Sequence, residues 1–196
     1  MKGAGHLGVL GAVLAGGKSR RMGVPKEGVV LADGRAMIEH VLDSLRPVCG
    51  RLAVVGECRG WRIPSEIPHI PDLEPGQGPL GGIEALLASG LAGSYLVVTC
   101  DQPLLKPELL KRLIEKAAGG GPVFIRPFAG RELDPFPGVF PDVWLPAIHA
   151  ALEEGRRGVR EFLLSQAVEW VEVSETEVDR IRSFNSPEEL AELRKR

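Results

Sequence analysis

The chain has 196 residues, 44% of them hydrophobic and 26% charged, with a formal charge of −2. That balance excludes a disordered chain and a membrane-embedded one, and it argues against a protein that grips nucleic acid through a basic surplus. Glycine (25) and proline (16) are abundant; no period-three repeat orders them, so the glycines belong to turns or to backbone that approaches a ligand.

Hydrophobic periodicity switches repeatedly between strand and helix repeats. Val9–Ala15 is a short apolar run ending in glycines and predicts a buried strand. Ile38, Val41, Leu42 and Leu45 share one helical face, and Arg51–Val55 predicts a second strand. Pro79–Leu91 predicts a helix with Ile83, Leu86 and Leu87 on one side and Pro79 in its first turn. Tyr95–Cys100 reads as a buried strand, and Leu109, Leu110, Leu113 and Ile114 mark a helix after Pro107. Strands are expected at Val123–Ile125, Val139–Phe140 and Val168–Val173, and helices at Asp142–Glu154, Val159–Ser165 and from Ser186 onward. Alternating strands and helices predict an α/β fold: one domain, residues 1–196, with a three-layer, doubly wound, mostly parallel sheet of Rossmann-like type. Ligands of such sheets sit beyond the carboxyl ends of the strands, where the strand order reverses. The loops 15–26 and 100–105 are therefore the leading candidates.

Two motif matches fail on their context. Gly3-Ala4-Gly5-His6-Leu7-Gly8 spells a dinucleotide fingerprint but precedes the first strand, whereas that motif needs a strand before it and a helix after it. Gly16-Gly17-Lys18-Ser19 resembles the end of a P-loop, yet Ala12 stands where the P-loop spacing needs glycine, and Gly23 and Pro25 interrupt any helix after Ser19. Cys49, Cys58 and Cys100 share no metal or redox spacing and are expected as reduced thiols of a cytoplasmic protein. The four histidines are scattered, and no Ser/His/Asp or Cys/His arrangement points to a covalent nucleophile.

The segment Leu14-Ala15-Gly16-Gly17-Lys18-Ser19-Arg20-Arg21-Met22-Gly23-Val24-Pro25-Lys26 joins three glycines to four cations at a strand end, which suits a polyphosphate. Asp101, in Thr99-Cys100-Asp101-Gln102-Pro103, is a carboxylate at the end of a buried strand; read alone, it is either a magnesium ligand or a cap for the helix at Pro107. Asp72 and the glycine-rich run 76–82 form either a base pocket or a plain turn and helix start.

The ordered pattern Leu14 to Gly17, Ser19, Arg21, Met22, Gly23 and Lys26 resembles the signature loop of the nucleotidyltransferases that modify the molybdenum cofactor. The Gly16-Gly17 pair resembles their guanylyltransferase branch, the molybdopterin-guanine dinucleotide biosynthesis protein A family. The resemblance implies transfer of GMP from GTP to molybdopterin, releasing pyrophosphate, with Mg2+ as cofactor. It implies catalytic roles for Lys26, Arg21 and Asp101, with Asp101 holding the metal. Nucleotide contacts are implied for Leu14, Ala15, Gly16, Gly17, Lys26, Asp72, Pro79, Leu80 and Asp101. Residues 8–118 would form the nucleotide half and 119–196 the pterin half. There, Pro135 to Phe140, Gly155-Arg156-Arg157-Gly158-Val159 and Ser183 to Leu190 resemble family segments, which implies pterin contacts for Arg157 and Asn185. Asn185 is the single asparagine of the chain. Ser186 with Glu189 also spells a helix capping box. Some members place an asparagine where Gly56 or Glu57 stands, and that contact is not expected here. Cofactor-delivery proteins and molybdoenzymes are implied partners. Two alternatives stay open: a cytidylyltransferase or sugar-phosphate nucleotidylyltransferase of the same fold, and a non-catalytic nucleotide-binding regulator.

Overall fold

A computed structural model describes residues 8–16, 25–126 and 133–193. Strand β1 (Val9–Leu14) lies inside a seven-stranded sheet, third from one edge, that also contains β2 (Leu52–Val55), β3 (His69–Ile70), β4 (Ser94–Thr99), β5 (Val123–Ile125), β6 (Gly138–Pro141) and β7 (Glu169–Val171). The spatial order is β3-β2-β1-β4-β6-β5-β7. All pairings are parallel except those of β6, which runs antiparallel to both β4 and β5. After β1 the chain builds outward through β2 and β3, then returns to place β4 on the other side of β1. The order therefore reverses between β1 and β4, where α/β sheets open a crevice for ligands.

Side-chain alternation along the strands divides the core into two layers. Val13, Val54, Leu96 and Val98 face α1 (Met37–Leu45) and α3 (Pro107–Lys116), which contribute Ile38, Val41, Leu42, Leu109, Leu110 and Leu113. Leu10, Ala12, Val55, Tyr95 and Val97 face α2 (Gly78–Ala88), α4 (Leu145–Glu153) and α5 (Val159–Leu164). A third, smaller cluster joins Val29, Met37 and Phe184 to Leu190 and Leu193 of α7 (Pro187–Leu193). It fastens the C-terminal segment over the crevice end of the sheet.

Several expected boundaries shift for local reasons. The helix expected over 142–154 begins as a single tight turn at Asp142–Trp144 and becomes α-helical at Leu145. Pro146 is the cause: within the first turn its missing N–H costs nothing, whereas deeper in a helix its ring would meet the carbonyl of residue 142. The helix expected over 79–91 ends at Ala88, because Gly90 turns the chain with a φ of +63°. β7 is shorter than expected, at Glu169–Val171. β3, only two residues long, and α6 (Glu175–Val178), only one turn, are too short to carry a readable periodicity.

Candidate functional site

At the reversal point, the ends of β1 and β4 meet a short turn at Lys26–Gly28 and the segment that leads into α7. The ammonium of Lys26 lies 3.0 Å from Asp101 Oδ2, with both side chains largely covered (19% and 14% exposed). Asn185 Oδ1 accepts a second hydrogen bond from the same ammonium. Thr99 Oγ1 donates to Asp101 Oδ1 at 2.6 Å. Asp101 also accepts, through its backbone carbonyl, the Phe184 N–H at 2.9 Å. Asp101 is thus held from three sides and does not cap α3, whose N-terminal flank is Lys106 with no side-chain cap.

The Asn185 position is built by the capping box expected from the sequence. Glu189 Oε2 accepts the backbone N–H groups of Asn185 (2.6 Å) and Ser186 (3.0 Å), while Ser186 Oγ accepts the Glu189 N–H at 3.2 Å. The two N–H groups, aided by the nearby Arg182, lower the Glu189 carboxyl from its ordinary value. Asn185, expected toward a pterin, therefore stands directly beside Lys26 and Asp101.

Beside this centre, Leu14, Ala15 and Gly16 lead from β1 to the rim. Gly16 has a φ of +88°, and a Cβ there would lie 2.6 Å from the Glu57 carbonyl oxygen; at Gly56 (φ +84°) a Cβ would lie 2.5 Å from the Ala15 carbonyl oxygen. The two loops touch backbone to backbone, which only glycine permits in this left-handed conformation. This contact explains Gly56 in place of a side chain. Asp72 lies just behind it: its Oδ1 would be 3.5 Å from a Cβ on Gly56 and 3.6 Å from one on Gly82. Partial burial, and secondarily the charge of Glu57, push the Asp72 carboxyl up. Asp72 does not cap α2, whose N-terminal flank is Gln77.

Two expected contacts take a different form. Leu80 is fully buried in the core against α4 and α5, so its side chain cannot touch a ligand and only its backbone, in the first turn of α2, faces the loop. Arg157 donates to Gln77 Oε1 at 2.8 Å, which ties it to the loop ahead of α2. Asn185 bonds Lys26 instead, so the two residues expected at the pterin are linked to different loops. Pro79 is exposed in the first turn of α2. Gly17 and Arg21 lie outside the described residues, as do Lys18, Ser19, Arg20, Met22 and Gly23.

The sequence reading missed two buried polar residues. Gln102 is fully buried and its amide donates to the Phe136 and Ile181 carbonyls at 2.9 and 2.7 Å; its Oε1 accepts the Thr99 N–H at 3.3 Å. It pins the turn after β4 to both the entry of β6 and the C-terminal segment. Glu27, 2% exposed, sits one residue after Lys26. Its one signal in the sequence is adjacency to the loop lysine. Asp134 accepts the Phe136 N–H at 3.0 Å; desolvation by surrounding protein, opposed by that hydrogen bond and aided by the charge of Asp101, pushes its carboxyl up to about 6, although the residue as a whole is exposed. The three cysteines are free, and burial pushes the Cys58 thiol up to about 11, that of Cys49 up to about 12 and that of Cys100 well above its ordinary value, so none is a ready thiolate.

A glycine-lined crevice at the reversal of a doubly wound sheet, with a lysine, an aspartate and an asparagine converging there, defines a nucleotide-handling α/β protein. The chain belongs to the MobA-like NTP transferase domain family, whose model matches residues 11–170. It is a nucleotidyltransferase by that membership. A molybdenum cofactor guanylyltransferase of Pseudomonas putida is 34% identical over 185 residues, spanning 91% of this chain and 93% of the relative. A probable molybdenum cofactor guanylyltransferase of Flavobacterium johnsoniae is 31% identical over 92% of this chain and 94% of its own length. Among solved structures, molybdopterin-guanine dinucleotide biosynthesis protein A of Archaeoglobus fulgidus superposes with a TM-score of 0.76 at 26% identity, covering 95% of this chain and 97% of the other. The 2-C-methyl-D-erythritol 4-phosphate cytidylyltransferase of Thermus thermophilus, at 20% identity and a TM-score of 0.67, shares the fold. Among the described residues no helix is long and apolar enough to cross a membrane.

Proposed function

We propose that the chain is a molybdenum cofactor guanylyltransferase, which transfers GMP from GTP to molybdopterin and releases pyrophosphate. Its guanylyltransferase relatives align over nine-tenths of both chains, and the convergence of Lys26, Asp101 and Asn185 at the strand reversal is the observation that carries the reading. In the reaction, a terminal phosphate oxygen of molybdopterin forms a bond to the α-phosphorus of GTP as the bond from that phosphorus to the pyrophosphate oxygen breaks. The nucleophile is already an anion, so no general base is needed, and the protein's task is positioning and charge neutralisation.

Lys26 is placed to offset charge on the phosphates, with Arg21 assigned the same task from the loop motif. Asp101, Thr99 and Asn185 offer hard oxygen donors at one place, a set that fits Mg2+, and Asp101 is the residue that would hold it. When bound, the metal would supply further neutralisation of phosphate charge. The backbone at Leu14, Ala15, Gly16 and Gly17, and at Pro79 and Leu80, would take the nucleotide. Asp72, acceptor-only when ionised, suits the donor edge of guanine. Asn185 and Arg157 are assigned to the pterin. Free thiols suit a reducing cytoplasm, where delivery proteins and molybdoenzymes would be the partners that supply substrate and receive product.

Isothermal titration with GTP and CTP, each with and without Mg2+, tests the reading. GTP with Mg2+ should bind at least tenfold more tightly than CTP, and Asp101→Ala should lose the metal dependence. Tighter binding of CTP would replace the assignment with a cytidylyltransferase.

A further inference from the structure

Glu27, 2% exposed, is the most deeply buried acidic residue among those described, ahead of Glu84 at 7%. A carboxylate so placed is costly unless hydrogen bonds compensate it. Here Oε1 accepts two backbone N–H groups from the loop after β2, those of Arg59 (2.9 Å) and Gly60 (3.0 Å). On either side of this bond the backbones interlock. A Cβ on Gly28 would collide with the Gly60 carbonyl oxygen, and one on Gly60 would lie 2.7 Å from Pro25 Cβ. The opposite end of the same loop, at Gly56 and Glu57, rests against Ala15 and Gly16. The loop 56–60 therefore grips both edges of the phosphate-binding segment: Gly16 where it leaves β1, and Pro25–Gly28 where it ends.

Resting on the guanylyltransferase reading, we infer that Glu27 is a positioning residue for that reaction: its buried carboxylate locks the turn bearing Lys26 to the loop after β2 and thereby sets the Lys26 ammonium against Asp101. The carboxylate touches no substrate. It acts through the backbone of the residue next to it, where a displacement of about 1 Å can cost roughly 100-fold in rate. The two hydrogen bonds fall on a single oxygen, so a glutamine can accept both and an aspartate, one methylene shorter, cannot reach them.

The test measures pyrophosphate release and GTP affinity in Glu27→Gln, Glu27→Asp and Glu27→Ala, with Ile148→Ala as a control. Ile148 is a fully buried residue of α4, and its truncation lowers stability away from the site. Glu27→Gln should keep kcat within fivefold of the parent. Glu27→Asp and Glu27→Ala should lose about 100-fold in kcat, with a smaller change in the KM for GTP. Ile148→Ala should lower Tm but leave kcat unchanged at temperatures where it is folded. If Glu27→Ala does not fold, Glu27→Asp decides. Parent-like kcat in Glu27→Asp, or a glutamine variant as inactive as the alanine one, overturns the inference while leaving the enzyme assignment intact. An inactive parent protein overturns the assignment itself.

Discussion

Replacing Gln102 by methionine removes a hydrogen-bonding amide while keeping nearly the same volume. The parent side chain is fully buried, and its Nε2 holds the Phe136 and Ile181 carbonyls at 2.9 and 2.7 Å. Each carbonyl left unpaired in the interior costs about 1–3 kcal/mol. The Thr99 N–H loses only a long bond of 3.3 Å. The total is about 4 kcal/mol, taking the middle of the range for the two carbonyls. In a chain of 196 residues each kcal/mol lowers Tm by about 2–4 °C, so the variant should melt about 8–16 °C below the parent. Thermal melts followed by circular dichroism, with urea titrations for the free energy, measure this directly. A Tm within 3 °C of the parent would refute the view that this amide is what fastens the turn after β4 to the C-terminal segment.

Other outcomes follow from the same geometry. Phe184→Ala removes the aromatic centre of the third cluster and should cost about 3–5 kcal/mol, with faster hydrogen exchange at the amides of Phe184 and Leu190; unchanged exchange would show that α7 is held by something else. Asn185→Ala should raise the KM for molybdopterin at least tenfold and change GTP affinity less than threefold, and the reverse pattern in steady-state kinetics would assign Asn185 to the nucleotide. The Asp134 carboxyl is raised in the fold from 3.8 to about 6, so folding favours its protonated form. Its contribution to stability is fully present below about pH 4 and is lost as the pH rises through about 6. Asp134→Asn should flatten stability across that window in urea titrations, and an unchanged pH slope would contradict the shift.

The layers of the fold were readable because β1, β2 and β4 are continuous apolar runs and α1 and α3 carry clear one-sided stripes. The antiparallel insertion of β6 was not readable, since a four-residue strand buried on both faces looks the same in either direction. At the site, Lys26 could be singled out as a cation of the glycine-rich loop after β1, Asp101 as a carboxylate at the end of β4, and Asn185 by its motif. Their meeting across 75 and 159 residues of sequence is a property of the sheet order. Gln102 and Glu27 were not legible, because a polar side chain is identified as buried only by its distant partners: Phe136 and Ile181 for one, Arg59 and Gly60 for the other. The Arg157 contact with Gln77, 80 residues away, is of the same kind. Leu80 is buried at the start of α2, which leaves its backbone and not its side chain for the contact that the motif implies.

The central claim is the reaction, and product formation tests it most directly. Purified protein incubated with molybdopterin, Mg2+ and either GTP or CTP should release pyrophosphate and yield a chromatographically distinct guanine dinucleotide cofactor with GTP. CTP should give at least tenfold less product, and Lys26→Ala and Asp101→Ala, though folded, should give none. Absence of pyrophosphate release from GTP, or near-parent turnover in either variant, would contradict the account.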